Sequence, residues 1–356
     1  MKCSPPWTSR ELFERISLFE GSGNIESIFS NIDWSSVRPV HLYLCLLGRL
    51  PECLEVSIPG ASYSPSSHFF DILNSDEFQR AIVAGILRAF PEKRRLIFVH
   101  VPKCAGSDLL WILSNRFPWI IDSISYPEWT GKDVLFESLR NILRKITASS
   151  AITVGGHGPL QSIMSSNIYR GGDDIFTILR NPVERALSSA NYSFSLIMDE
   201  ANSARPDYRE WVSIVGSDRV DKLRKLKVSG KNSKYLAGAR DLARELLYSG
   251  SVVAPNTMCN FVGRGDAASA IELMALTNIE VTVVTQYERW LLDRWGFDRS
   301  IRVNESIKVL RVDNISRRDL EYIESISVED MRLYRRVSTV IDNCGNSSIR
   351  GLDLIG

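Results

Sequence analysis

The stretch RRLIFVHVPKCAGSDLLWIL, from Arg94 to Leu113, decides the fold. An apolar run breaks at Pro-Lys, passes through small residues and becomes apolar again. This order predicts a strand, a tight turn and a helix. Corners of this kind hold phosphate groups, because the first backbone N–H groups of a helix have no partner within it. The turn PKCAGS is therefore a candidate anion-binding site.

Strands and helices alternate from this stretch towards the C-terminus. Strands separated by helices imply a mostly parallel sheet covered by helices on both faces, so the predicted fold class is α/β. The functional site of such a sheet lies at the carboxyl ends of its strands, and three of these ends carry PKCAGS, GGHG and RNP. The predicted strands are RLIFVHV, SAITVGGHG, DIFTILR and IEVTVVT, and the predicted helices cover residues 108–117, 182–196, 267–276, 287–295 and 327–340.

Local signals mark where several helices begin and end. Pro182 is favourable in the first helical turn, and Ser327 with Asp330 has the spacing of a capping box. Ser75 is a candidate N-cap of a helix that Pro91 ends. The remaining elements predicted within residues 1–91 are a helix near 9–19, two strands in PVHLYLCLL and CLEVSIP, and a loop in GASYSPSSH.

Composition and charge restrict the class of protein. The chain has 356 residues, of which 44% are hydrophobic and 24% charged, so a sizeable core is expected. The net charge of +1 indicates no particular class of binding partner, and we expect the protein not to bind nucleic acid. The longest early apolar run, VHLYLCLLG, is far shorter than the ~20 residues that cross a membrane. No transmembrane segment is therefore predicted.

Cysteine and histidine usage predicts a reduced setting. The six cysteines form no Cys-x-x-Cys pair, and the four histidines show no ligand spacing, so we expect no structural zinc. The N-terminus lacks the apolar core of a signal peptide. A cytoplasmic protein fits these features best, although a chain trimmed of a membrane anchor has the same ones.

The turn PKCAGS offers three kinds of contact to an anion. Backbone N–H groups from Cys104 through Ser107 are expected to point at one position, where the helix dipole adds positive potential. Ala105 and Gly106 are small enough for a ligand to approach the backbone. The ammonium group of Lys103 can reach a bound anion. The alternative is an ordinary turn between a strand and a helix, with a solvated lysine.

A second cluster follows the strand DIFTILR. Arg180 leaves the strand, and Ser188 follows about two helical turns later, so both are expected to reach one phosphate. Arg185 is expected to point elsewhere, towards a structural ion pair. A kinase is disfavoured, because the lysine of PKCAGS precedes the small residues, unlike in a Walker A loop. The acids Asp173 and Asp174 also lie at the wrong end of the strand to hold magnesium.

Together, FVHVPKCAGSDL and ILRNPVERALSSANY resemble the paired nucleotide-binding motifs of carbohydrate sulfotransferases. The closest pattern is the group that includes heparan sulfate 2-O-sulfotransferase and the chondroitin and dermatan enzymes. That group carries Pro-Lys-x-x-Gly-[Ser/Thr] followed by Arg-[Asp/Asn]-Pro-x-x-Arg-x-x-Ser. The later stretches NTMCNFVG, IEVTVVTQYERWLL and SVEDMRLYRRV also resemble blocks of that group.

The resemblance implies a fold and a division of the chain. The expected fold is a P-loop-like domain that covers residues 92–345 and transfers sulfuryl groups. Residues 1–91 are then an N-terminal accessory segment of uncertain fold, and residues 346–356 a C-terminal tail.

The resemblance also implies a co-substrate and its contacts. The co-substrate is 3′-phosphoadenosine 5′-phosphosulfate (PAPS), which leaves as adenosine 3′,5′-bisphosphate, and no metal is needed. Lys103 would contact the bridging oxygen, and Arg180 with Ser188 would bind the 3′-phosphate. Asp108 stands where the family has Ser or Thr, and its carboxylate would repel the phosphate unless it turned away to cap the helix. The turn residues implied to bind the 5′-phosphosulfate are Lys103, Cys104, Ala105, Gly106, Ser107 and Asp108.

His157 is implied as the catalytic base, because the family has a Gly-His pair where AITVGGHGPL stands. An unperturbed histidine has a pKa near 6.5, which suits removal of the acceptor proton at neutral pH. Lys103 would stabilise the charge that develops on the leaving oxygen. The alternative is a loop histidine without a role. His100 lies inside the first strand and is expected in the core.

The expected acceptor is a hydroxyl group of a carbohydrate. The basic stretch RVDKLRKLKVSGKNSKY, residues 219–235, is a candidate contact for an anionic glycan, or else a solvated helix face. Trp211 is more consistent with core packing than with sugar stacking. Two other functions stay open: a P-loop-type kinase, and a non-catalytic nucleotide-binding protein of the same fold, which Asp108 favours.

Overall fold

The computed structural model describes residues 8–18, 39–47, 72, 84–121, 132–165, 169–228, 232–297 and 307–355. The chain divides into two compact units. The first contains residues up to Phe98, with Ile112–Gly158 and Ser162–Asp174. The second contains Val99–Trp111, Pro159–Gln161 and the chain from Ile175 onwards. This division does not follow the predicted boundary between residues 91 and 92.

Helices and strands alternate along the described chain. The first elements are α1 (Ser9–Leu18), α2 (Pro39–Leu42), β1 (Arg94–Val99), α3 (Gly106–Arg116), β2 (Trp119–Ile121), α4 (Lys132–Ala148), β3 (Ala151–Gly156), α5 (Leu160–Ser165) and β4 (Asp174–Leu179). The later elements are α6 (Pro182–Ile197), α7 (Pro206–Val215), α8 (Ser217–Val228), α9 (Asn232–Leu247), α10 (Thr257–Val262), α11 (Ala267–Thr277), β5 (Glu280–Val283), α12 (Tyr287–Trp295), α13 (Arg317–Ile326), α14 (Val328–Cys344) and β6 (Ile349–Arg350).

The fold class is α/β with mostly parallel strands, as predicted. In the first unit the strand order is β2-β3-β1, and β2 runs parallel to β3. In the second unit the order is β4-β5-β6, with β4 parallel to β5 and β6 antiparallel to it. Ile349 and Arg350 of β6 lie in the segment predicted as a tail, so the C-terminus contributes to the second unit instead of trailing from it.

The N-terminal prediction of two strands is wrong for the first of them. Residues of PVHLYLCLL form α2 and then a π-helical turn, Tyr43–Leu47. Leu42, Cys45 and Leu46 are buried in one cluster with Leu12 of α1, a spacing that suits one face of a helix. The second strand, the loop at 60–68 and the cap at Ser75 lie outside the described residues. The described end of that last helix, residues 84–89, is helical.

Capping explains where two helices of the second unit begin. Pro182 occupies the first turn of α6, and the Asn181 side chain accepts hydrogen bonds from the first N–H groups. A helix does begin after Ser327, but the predicted capping box there is wrong, because Ser327 makes no cap bond. Asp330 instead accepts hydrogen bonds from the backbone of Met258 and Cys259. Its carboxylate is fully buried, so these tertiary donors replace the local one.

Candidate functional site

The turn between β1 and α3 has an unusual backbone. Lys103 and Ala105 have φ angles of 67° and 60°, the left-handed region that residues with a Cβ rarely adopt. Each such residue costs about 1–2 kcal/mol relative to right-handed backbone. Strained residues of this kind cluster at ligand-binding sites. The local sequence contains no glycine at either position, so the strain was not evident from it.

At the start of α3, the N–H groups of Gly106 and Ser107 have no backbone acceptor among the residues that the structure describes. The first α3 residue to close a helical bond is Leu109, whose N–H donates to the Ala105 carbonyl. The N–H of Cys104 donates to the Val101 carbonyl over 3.3 Å instead. The N–H of Cys104, which the sequence predicts as an anion donor, is therefore already paired within the protein.

Gly106 is required by packing inside the protein. A Cβ at this position would lie 1.8 Å from Nε2 of His100, whose side chain is buried against the turn. His100 is thus a core residue, as predicted. Packing against His100 is enough to explain why residue 106 is a glycine, so the predicted close approach of a ligand is not needed to explain it. Ser107, the next residue, is exposed.

Lys103 has a partly buried side chain that contacts an aromatic ring. Its Nζ lies 3.7 Å from the centroid of the Tyr192 ring, which is within the range of cation–π attraction. Burial, and after it the positive charge of Arg180, lower the pKa of Lys103 to about 8. The ammonium form is still dominant at neutral pH, so Lys103 remains a cation there.

Arg180 joins the two predicted motifs. The Thr177 hydroxyl of β4 donates to the Val99 carbonyl over 2.8 Å, which brings the ends of these strands together within the second unit. The Arg180 guanidinium then donates to the Lys103 carbonyl over 3.4 Å and to Glu184 over 3.3 Å. Its side chain is 26% exposed. The Arg180 guanidinium thus contacts the backbone of Lys103, and its charge acts on the Lys103 ammonium.

Cys104 makes a further link between the motifs. Its thiol is buried and accepts a hydrogen bond from the backbone N–H of Arg180. Burial raises the pKa of Cys104 to about 12, so this thiol is an inert structural group at neutral pH. The role of Cys104 in the turn is thus to hold it against the strand end.

Helix α6 carries both a candidate ligand contact, Ser188, and residues with structural partners, Arg185 and Ser189. Ser188 is half-buried and makes no hydrogen bond to the residues that the structure describes. The next residue, Ser189, donates to the Val252 carbonyl over 2.7 Å. Arg185 is buried and lies 4.0 Å from Asp330, so the predicted structural ion pair is confirmed. No hydrogen bond joins Ser188 to Arg180 in the described part of the chain, and their shared phosphate stays a prediction.

Asp108 faces the protein interior. Its side chain is only 8% exposed, and its charge acts on the buried hydroxyl of Tyr287 at the start of α12. Burial and the negative charge of Asp108 raise the pKa of Tyr287 far above its usual range. The carboxylate implied to bind phosphate is thus turned into the protein interior.

Two tyrosines of this site were missed by reasoning from sequence alone. Tyr192 lies four residues after Ser188, so helical spacing places them on one face of α6. Tyr287 follows β5 at the carboxyl end of the strand, where parallel sheets carry their sites. Both signals were present in the sequence, but neither indicates that Tyr192 lies beside Lys103 or that Tyr287 lies near Asp108.

His157 belongs to the first unit, whereas Lys103 and Arg180 belong to the second. It follows β3 directly and is half-buried. The strand that delivers it is confirmed. Its proximity to the anion-binding turn stays a prediction from the sequence.

The first part of the basic stretch, residues 219–228, belongs to α8, and its two arginines form ion pairs within the protein. Arg219 binds both carboxylate oxygens of Glu245. Arg224 donates to Glu200, Asp221 and the Ile197 carbonyl. These contacts favour the solvated or structural interpretation for the arginines. Exposed lysines on the same helix, Lys222, Lys225 and Lys227, remain on the surface.

The part of the chain that the structure describes contains neither a metal-binding cluster nor a membrane-spanning helix. No group of three or more His, Cys, Asp or Glu residues there is arranged to hold a metal ion. None of the described helices is long and apolar enough to cross a membrane.

Comparison with protein-family models, curated proteins and solved structures produced no match to this chain.

Proposed function

We propose that this protein is a PAPS-dependent sulfotransferase that acts on a hydroxyl group of a carbohydrate. The observation that carries the proposal is the pairing of Lys103 with Arg180 at the N-terminus of α3. Two cations placed side by side repel each other, and a bound anion relieves that repulsion. The free N–H groups of Gly106 and Ser107 face the same end of the helix and add donors.

The donor set fits a nucleotide with two anionic ends. The turn after β1 offers an ammonium group and N–H groups to a 5′-phosphosulfate. Arg180 and Ser188 offer a guanidinium fork and a hydroxyl to a 3′-phosphate. A turn of this kind after a parallel strand is also the reason to propose a P-loop-like fold. The cysteine pattern of the sequence keeps a cytoplasmic location within the proposal.

The proposed reaction moves one sulfuryl group between two oxygens. The acceptor hydroxyl oxygen forms a bond to sulfur while the bond from sulfur to the 5′-phosphate oxygen breaks. His157 takes the proton of the hydroxyl group. Lys103 stabilises the negative charge on the leaving phosphate. The product nucleotide is adenosine 3′,5′-bisphosphate.

The surroundings of Asp108 support a catalytic protein over a non-catalytic one. The case for lost turnover depends on a carboxylate that faces the phosphate. Asp108 instead interacts with Tyr287 in the interior, so this repulsion is reduced.

Ligand binding tests the nucleotide class. We expect adenosine 3′,5′-bisphosphate to raise the melting temperature, since a ligand that binds only the folded state stabilises it. Lys103→Ala and Arg180→Ala should each abolish most of that increase. Lys225→Ala, at an exposed lysine on α8, is the matched control and should keep it. Stabilisation by ATP with magnesium and not by the bisphosphate would support the kinase and overturn the proposal.

Turnover tests the chemistry. Transfer of labelled sulfate from PAPS to a panel of glycans should be lost in His157→Ala, while the affinity for the bisphosphate is kept. Lys103→Ala should lose both transfer and affinity. Activity that survives both substitutions contradicts the assigned roles. Bisphosphate binding without transfer to any acceptor class would identify a non-catalytic nucleotide-binding protein.

A further inference from the structure

Tyr192 is the aromatic residue in direct contact with the cation of the turn. The Lys103 ammonium lies 3.7 Å from its ring centroid, well within the range of about 6 Å over which cation–π attraction acts. Lys103 forms no ion pair with any residue in the described part of the chain. The ring is thus the attractive partner of the ammonium there, while the nearby Arg180 guanidinium repels it.

The Tyr192 ring is held firmly in place. It packs edge-on against the buried Trp211 ring, with centroids 6.3 Å apart and planes at 78°. The preceding residue, Asn191, is buried and bonds the backbone of Val309 and Leu310 with its side chain. The Tyr192 backbone therefore cannot shift without breaking these bonds. Because the ring is fixed, the Lys103 ammonium that contacts it also has a defined position.

We propose that Tyr192 is a positioning residue, which holds the Lys103 ammonium next to Arg180 and the free N–H groups of α3. The effect of this contact on nucleotide binding rests on the proposed function, in which the Lys103 ammonium meets the leaving phosphate. Without the ring, the lysine side chain has no partner to offset the repulsion by Arg180. It would then turn towards solvent or lose its proton more readily.

The titration of Lys103 tests the contact without any nucleotide. Reductive methylation of the full chain with ¹³C-formaldehyde labels each lysine, and the signal missing from Lys103→Arg assigns that of Lys103. Tyr192→Phe keeps the ring, and the titration midpoint should stay at its wild-type value. Tyr192→Leu removes the ring, and the midpoint should fall by about half a pH unit, because the charged form loses its partner. An unchanged or raised midpoint in Tyr192→Leu overturns the proposal.

Nucleotide affinity tests the consequence. Tyr192→Leu should bind adenosine 3′,5′-bisphosphate roughly fivefold more weakly than wild type, and Tyr192→Phe should match wild type. Equal affinity of all three proteins contradicts the positioning role. A wild-type protein that does not bind the bisphosphate contradicts the proposed function, while the lysine titration still decides the contact. Should Tyr192→Leu fail to fold, Tyr192→Met provides a long side chain without a ring for both measurements.

Discussion

The Arg180 guanidinium donates a hydrogen bond to the backbone carbonyl of Lys103 over 3.4 Å, and the Arg180 backbone N–H donates to the thiol of Cys104. These two contacts tie the end of β4 to the turn after β1. Neither contact uses the part of Lys103 that would meet an anion. The turn is thus held in a strained backbone by its neighbours, with its ammonium and its free N–H groups left for a ligand.

Affinity for the bisphosphate should depend on the protonation of Lys103. The pKa of Lys103 is lowered to about 8, so the ammonium is present below that pH and is lost above it. We expect affinity to fall roughly tenfold from pH 7 to pH 9. Titration calorimetry at several pH values measures this, and Lys103→Arg should flatten the profile. A wild-type profile as flat as that of Lys103→Arg would contradict the prediction.

The stability of the free protein should change in the opposite direction. The unfolded lysine keeps its usual pKa of 10.5, so between pH 8 and 10.5 the unfolded state binds more protons than the folded one. Lys103 therefore makes the free energy of unfolding rise with pH across this window. The comparison is with Lys103→Met in urea denaturation at matched pH values. Equal pH slopes for the two proteins would show that Lys103 is not desolvated.

Two arginines of the same motif should behave differently. Arg180→Ala should weaken bisphosphate binding about 10- to 100-fold, because it removes a charged hydrogen-bond donor. It should cost little stability, since its ion pair with Glu184 is partly exposed. Arg185→Ala should instead lower the free energy of unfolding by about 3–5 kcal/mol, because it leaves Asp330 buried without its cation. Urea denaturation and calorimetry on both variants separate these effects, and the reverse pattern would refute the assignment.

Adjacent small residues in the turn should respond in opposite ways to exchange of alanine and glycine. Ala105→Gly relieves the left-handed backbone and should stabilise the protein by about 0.5–1 kcal/mol. Gly106→Ala should destabilise it by about 1–3 kcal/mol, because the new Cβ meets the buried His100 ring. Gly250→Ala is the control, since nothing lies within 4 Å of a Cβ there. A change at Gly250 as large as that at Gly106 would remove the packing explanation.

Removal of the Tyr287 hydroxyl should expose the cost of burying Asp108. Tyr287→Phe should lower the free energy of unfolding by about 0.5–1.5 kcal/mol, since the buried Asp108 charge loses the dipole of the neighbouring hydroxyl group. A double-mutant cycle with Asp108→Ala measures the coupling between the two side chains. Additive effects in that cycle would mean that the two groups do not interact.

Much of the local structure follows from sequence pattern. The strands at RLIFVHV and DIFTILR, the start of α6 at Pro182 and the bounds of α12 are confirmed. Each depends on apolar periodicity or on a cap within a few residues. The first N-terminal strand and the Ser327 capping box fail because burial against distant residues overrides the local preference.

The sequence by itself determined the α/β class and the convergence of a lysine turn and an arginine strand end. Only the tertiary structure decided what each side chain meets. It turned Asp108 towards Tyr287, buried Arg185 against Asp330 and laid Lys103 on the ring of Tyr192. Periodicity and caps act over one or two helical turns, whereas these partners lie tens to hundreds of residues apart. Their contacts depend on which faces the packed elements bring together, and no local pattern encodes that.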